Sequence, residues 1–99
     1  MDSKSTLVFA ADHPAFAGHF PGAPIVPGVL LLDAAMHALA VQSGQTVTDI
    51  ASAKFLQPVM PGEVLSLECR LSDTGRAGFD ISNAAQRVAT GQLTLAGSR

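Results

Sequence analysis

The chain has one thiol, Cys69. A lone cysteine allows neither an intrachain disulfide nor a cysteine-based metal cluster. It falls in an alternating strand pattern, where a buried, inert thiol is expected. Charge is scarce as well: only 14% of the 99 residues are Asp, Glu, Lys or Arg, and the net charge is −2. No basic run and no arginine-rich helix occurs, so the electrostatic footprint of a nucleic-acid binder is missing. Once Asp33 and the proline and glycine breaks are counted, no apolar run exceeds five residues, too short to span a bilayer. The opening MDSKSTLVFAADH has no charged start followed by a sustained apolar core, as a signal peptide would. A cytoplasmic protein with no membrane contact is expected. The three histidines lack a tight ligand spacing, so neither a metal nor another cofactor is expected.

What the chain does have is apolar side chains, 47% of its residues. Its length suits a single domain over residues 1–99. A domain of this size hides only about two thirds of its unfolded surface. With so few charges to cover the remainder, apolar surface is expected to be hidden against another copy, in a homodimer or a higher oligomer of dimers.

Residues Thr6 to Ala11 read as a first strand. Asp12 to Pro27 carries Pro14, Pro21, Pro24 and Pro27, which rules out a regular helix or a central strand. A long stiff loop is expected there, and such loops are often functional. Gly28 to Ser43 reads as a helix, with Pro27 at its start and Gly44 just past its end. It is apolar on nearly every face, so burial all round is expected, and only a sheet is left to surround it. Ile50 to Leu56, Glu63 to Ser72, Phe79 to Asn83 and Arg87 to Ala96 read as strands. Glu63 to Ser72 alternates, with Leu65, Leu67, Cys69 and Leu71 on one face. A turn over Asp73 to Gly78 has Gly75 for a positive φ. Ala89, Gly91, Leu93 and Leu95 share a face whose small residues would let the helix approach. Short connections make these strands antiparallel. The pattern predicts an α+β fold, one curved antiparallel sheet around one long helix.

Asp33 and His37 stand one helical turn apart on one face. Among leucines and alanines, desolvation disfavours the charged carboxylate, and a protonated carboxyl is a general acid. His19, in the loop, has the chemistry of a general base. The helix start near Gly28 offers unpaired N–H groups that could hold developing negative charge on a carbonyl oxygen. Base, acid and oxyanion donor together describe loss of a proton beside a carbonyl, followed by loss of a neighbouring hydroxyl as water.

The stretch GHFPGAPIVPGVLLLDAA, Gly18 to Ala35, closely resembles the hotdog-fold 3-hydroxyacyl-[acyl-carrier-protein] dehydratases. The matching residues are His19, Phe20, Pro21, Gly22, Pro24, Pro27, Gly28, Val29 and Asp33. KFLQPVMPGEVLSLEC, Lys54 to Cys69, resembles that family's second motif. The resemblance implies that His19 abstracts the C2 proton, Asp33 protonates the departing hydroxyl and the Gly28 N–H polarises the thioester carbonyl. It also implies an acyl carrier protein as partner and two hotdogs paired edge to edge. Each site then takes its histidine from one subunit and its acid from the other. An acyl tunnel would be lined by Phe16, Phe20, Val26, Leu30 and Phe55.

The chain departs from the family at four points. Asp33 stands where glutamate is commoner, and His37 where glutamine is usual; His37 is expected to orient or pair with Asp33. Leu56 and Gln57 replace basic residues that help dock the carrier protein. The segment before the first strand is short, so a minimal domain is expected. The short form with aspartate resembles dehydratases of aryl-polyene gene clusters. Two other readings remain at this point. One is a non-catalytic hotdog subunit that binds acyl thioesters or partners an active copy; the other, ranked last, is a hotdog thioesterase.

Overall fold

The computed structural model describes residues 2–9, 26–72 and 75–96. In chain order the elements are β1 (Asp2–Leu7), α1 (Gly28–Ser43), β2 (Thr46–Phe55), β3 (Leu65–Leu71), β4 (Arg76–Ser82) and β5 (Arg87–Ala96). The five strands form one antiparallel sheet in the order β1-β3-β4-β5-β2. The helix lies on one face of that sheet, against β2, β3 and β4.

The helix has the bounds its punctuation predicts. Pro27, at φ −59, precedes its first turn without any side-chain cap. Gly44 ends it in the left-handed region at φ 68, and its N–H donates to the Ala40 carbonyl. Leu31, Ala35 and Leu39, spaced four apart, form its buried stripe. The core joins them to Leu65, Leu67 and Cys69 of β3, Phe79 and Ile81 of β4, and Ala89, Leu93 and Leu95 of β5. Full burial of each large side chain contributes about 1.5–3 kcal/mol.

Three expectations are corrected. The first strand is Asp2–Leu7, not Thr6 to Ala11. Its polar residues form a strand because they pair with β3 (Ser3 opposite Cys69, Ser5 opposite Leu67), not because they bury a face. β4 begins at Arg76, inside the expected turn, of which Gly75 keeps its positive φ of 80. The helix is not buried all round: Val29 and Val41 are 67% and 71% exposed, with Asp33 and His37 exposed between them. Two helical residues subtend about 200°, so the Val29–Asp33–His37–Val41 row lies opposite the Leu31–Ala35–Leu39 row. One sheet can cover only one of them.

On the outer face of the sheet, strand register sets Glu68, Asp80 and Thr90 side by side on β3, β4 and β5. Asp80 accepts hydrogen bonds from Arg70 at 2.5 Å and Thr90 at 2.6 Å, and Arg87 stands 3.5 Å away. Burial pushes the Asp80 carboxyl up. The Thr90 and Arg70 hydrogen bonds and the two guanidinium charges outweigh it and hold the carboxyl below its ordinary value.

Candidate active site

The start of α1 opens into a pocket of about 300 Å³ lined by Val26, Gly28, Leu31, Phe55, Leu56, Gln57, Pro58 and Val59. Three contacts build it. Val26 donates its N–H to the Val59 carbonyl at 2.7 Å, which ties the residues before the helix to the loop after β2. Leu56 donates to the Val88 carbonyl at 2.8 Å, which ties the end of β2 to β5. Phe55, the last residue of β2, lays its ring against Gly28: a β-carbon at 28 would stand 3.1 Å from its Cε1. Glycine is therefore what lets the ring and the helix start share this wall.

The helix start itself is chemically open. Leu30 donates its N–H to the Pro27 carbonyl at 2.9 Å, and among the described residues no side chain caps the first turn. In a helix the first N–H groups have no partner within it. The Gly28 N–H thus heads the positive end of the helix dipole at an apolar pocket. A ligand oxygen that gains negative charge would be stabilised there.

The remaining expected residues fall as follows. Val26 and Phe55 line the pocket; Leu30 is partly buried against the core and is not among the lining residues. Asp33 and His37 keep their one-turn spacing but are exposed, on the helix face away from the sheet. This corrects the expectation that leucine and alanine neighbours bury Asp33 within its own chain. Those neighbours in sequence turn toward the sheet, and the carboxylate turns away. His19, Phe16 and Phe20, with the loop that carries them, lie outside the described residues. Leu31, Leu56, Gln57, Pro58 and Val59 were not foreseen as lining. Pro58 and Val59 sit within the second motif, a signal that marked the segment without marking its direction.

Of the cations near the sheet, Arg70 and Arg87 are engaged with Asp80. Among the described residues no three His, Cys, Asp or Glu side chains converge as metal ligands. No described helix is long and apolar enough to cross a membrane.

Comparison with known proteins gives this geometry a family. The 3-hydroxyacyl-[acyl-carrier-protein] dehydratase FabZ of Chlamydia trachomatis serovar L2 is 41% identical, over 85% of this chain and 65% of that relative. The FabZ of Nitratidesulfovibrio vulgaris (strain DP4) is 39% identical, over 84% of this chain and 66% of the relative. The chain thus spans about 65% of the length of these curated relatives. Among solved structures, the dehydratase heterocomplex ApeI:P from Xenorhabdus doucetiae matches with a TM-score of 0.87 and 25% identity, over 97% of this chain and 88% of that one. The (R)-hydratase from A. caviae involved in PHA biosynthesis shares the fold alone, at a TM-score of 0.74 and 20% identity. One antiparallel sheet laid on one long helix is, in this company, the hotdog fold. A family model described as ApeI dehydratase matches residues 2–92, so the chain belongs to the ApeI-like dehydratase family.

Proposed function

We propose that this chain dehydrates a (3R)-3-hydroxyacyl thioester on acyl carrier protein to the trans-2-enoyl thioester, in fatty-acid or polyene-type biosynthesis in the cytoplasm. The observation that carries this reading is the helix start at Gly28, capped by no described side chain and heading an apolar pocket, in a chain of this family. The thioester carbonyl would accept from the Gly28 N–H, which favours charge on its oxygen as C2 loses a proton. The His19 imidazole takes that proton. The electron pair left on C2 forms the double bond as the C3–O bond breaks, and Asp33 gives the proton that turns the hydroxyl into water. Elimination of water needs no external oxidant or reductant, so the reaction asks for no redox cofactor.

Asp33 is exposed on the single chain, which supports a site shared between two chains. The Val29–Asp33–His37–Val41 row and the ten-residue edge strand β2 lie on the part of the molecule that a second hotdog would cover. A homodimer paired edge to edge would enclose Asp33 of one chain beside His19 of the other. His37, one turn away, would orient the acid.

A second reading has its own observation. The ApeI structural relative is part of a heterocomplex. This chain would then be a non-catalytic acyl-thioester-binding subunit, or the partner of an active dehydratase that covers the same exposed row.

Ultraviolet detection of the conjugated enoyl thioester, from a carrier-linked 3-hydroxyacyl substrate, tests both readings. Turnover lost in His19→Ala and strongly reduced in Asp33→Asn supports the dehydratase. No turnover from a folded oligomer on short, medium and aryl-conjugated chains supports the partner subunit.

A further inference from the structure

The turn between β2 and β3 carries a carboxylate that is bonded both to its own turn and to a neighbouring one. Met60, Pro61, Gly62 and Glu63 form a turn closed by the Glu63 N–H to the Met60 carbonyl at 3.3 Å. Proline stands second and Gly62, at φ 86, third, the residues a type II turn requires. The Glu63 side chain then returns: one carboxylate oxygen accepts the Met60 N–H at 2.7 Å. Its other oxygen accepts from the Asn83 side-chain amide at 3.2 Å, in the turn between β4 and β5.

The orientation of Asn83 is fixed independently. Its side-chain oxygen accepts the N–H groups of Ala85 at 2.9 Å and Gln86 at 2.8 Å. Its NH₂ group must therefore face Glu63. A charge-assisted hydrogen bond thus anchors the β2–β3 turn to the β4–β5 turn. The residue next to Met60 is Val59, buried, whose carbonyl holds the Val26 N–H two residues before Gly28. Asn83, Glu63, Met60, Val59 and Val26 form a continuous chain of bonds that ends at the helix start.

We propose that Glu63 is a positioning residue for this site: anchored on Asn83, its carboxylate holds Met60 and so sets where the Val59 carbonyl places Val26 and the first turn of α1. The inference deepens the dehydratase reading and rests on it for its kinetic part. The structural part, placement of Val26, stands without it.

Donor and acceptor can be exchanged across the Glu63–Asn83 contact. In Glu63→Gln, the glutamine oxygen can still accept from Met60, but its NH₂ then meets the Asn83 NH₂. In Asn83→Asp, two carboxylates meet, while the new aspartate still accepts from Ala85 and Gln86. In the double variant the glutamine NH₂ donates to the aspartate, and the contact is restored with its direction reversed.

The readouts are amide hydrogen exchange at Val26, the melting midpoint, and kcat with KM on the carrier-linked substrate. Each single variant is expected to raise Val26 exchange, while core amides such as Leu93 and Cys69 keep theirs. Each is expected to lower kcat about tenfold, because a small misplacement of an oxyanion donor acts in the transition state. KM should stay within about twofold of wild type, and the double variant should restore exchange and kcat together. Unchanged Val26 exchange in both singles would overturn the proposal. So would loss of kcat only in proportion to a lower melting midpoint. If the wild-type chain has no turnover but the exchange pattern appears, the dehydratase reading fails and the tether stands.

Discussion

The ring of Phe55 lies where a side chain at Gly28 would begin, joining the last residue of β2 to the first residue of α1. A β-carbon at 28 would lie 3.1–3.2 Å from three ring atoms, so the ring must shift by a few tenths of an ångström. Phe55 is 49% exposed and has room to move. Alanine also favours the helix over glycine by up to about 1 kcal/mol. Gly28→Ala is therefore expected to change stability by less than about 1 kcal/mol. It is expected to lower kcat/KM about tenfold, because the displaced ring alters the pocket at the oxyanion donor. Thermal melting and enoyl formation, measured on the same preparation, check the two halves. Unchanged turnover would remove Gly28 from the site.

The exposed row of α1 predicts assembly. A chain with Val29 and Val41 mostly in water needs a cover for that face. Wild-type protein is expected to sediment at twice the chain mass or more. Val41→Glu places a charge on that face and should shift the protein to monomers with the same circular dichroism. A wild-type chain that remains monomeric at concentrations of about 100 μM, where a typical interface would be filled, would remove the homodimeric site and leave the row to a different partner chain.

Asp80 predicts an acid-dependent loss of stability. Its carboxyl lies below the ordinary value in the folded chain and returns to about 3.8 when unfolded. A depressed folded value stabilises the protein above the unfolded one and is lost as pH falls through the folded one. Asp80→Asn is expected to cost about 1–2 kcal/mol near neutral pH, the partly exposed guanidinium groups being screened. The difference between the two proteins should shrink below about pH 4. Denaturant midpoints over a pH series would show it, and a constant gap down to pH 2 would contradict it.

Much of this architecture can be read from residues whose chemistry is local. Pro27 and Gly44 mark both ends of α1 because a ring without an N–H and a left-handed φ need no tertiary context. The alternation from Leu65 to Cys69 states which face of β3 is buried. What stays hidden depends on partners elsewhere in the chain or outside it. The polar β1 is a strand only because β3 offers it a ladder. Asp33 lies among leucines in sequence, yet a helix turns neighbours 100° apart, and hydropathy does not say which face meets its own sheet. The Phe55–Gly28 contact joins residues 27 positions apart, and no local pattern announces it. His19 and the motif residues up to Ile25 fall outside the described residues, so sequence alone speaks for them.

Cys69 predicts silence. Burial pushes its thiol up, against a hydrogen bond from Ser3 and the charge of Arg70, and the side chain has almost no contact with water. A thiolate is the reactive form, so a colorimetric thiol reagent should find no reactive group in the native protein at pH 8. One equivalent should appear on unfolding. Rapid labelling of the folded chain would place Cys69 outside the core.

Gly91 tests the packing behind the site. The small residues of β5 suggested room for the helix, but the neighbours that need the space are different. A β-carbon at 91 would lie 2.6 Å from Phe79 Cε2 and 2.6 Å from the Ser52 carbonyl oxygen. Phe79 is fully buried in β4, and the Ser52 carbonyl belongs to the backbone of β2, beside an irregularity in its pairing with β5. Neither can yield as the half-exposed Phe55 ring can. Gly91→Ala is therefore expected to destabilise the fold by about 2–3 kcal/mol, the upper part of the range for overpacking. For a domain of this size that lowers the melting midpoint by about 10–20 °C. Phe79→Leu in the same chain removes one clash and leaves the carbonyl contact, so the double variant should recover part of the loss at most. Full recovery would mean that only the ring excludes a side chain at 91. No loss in the single variant would mean that β2 and β5 separate more easily than their ten-residue strands suggest.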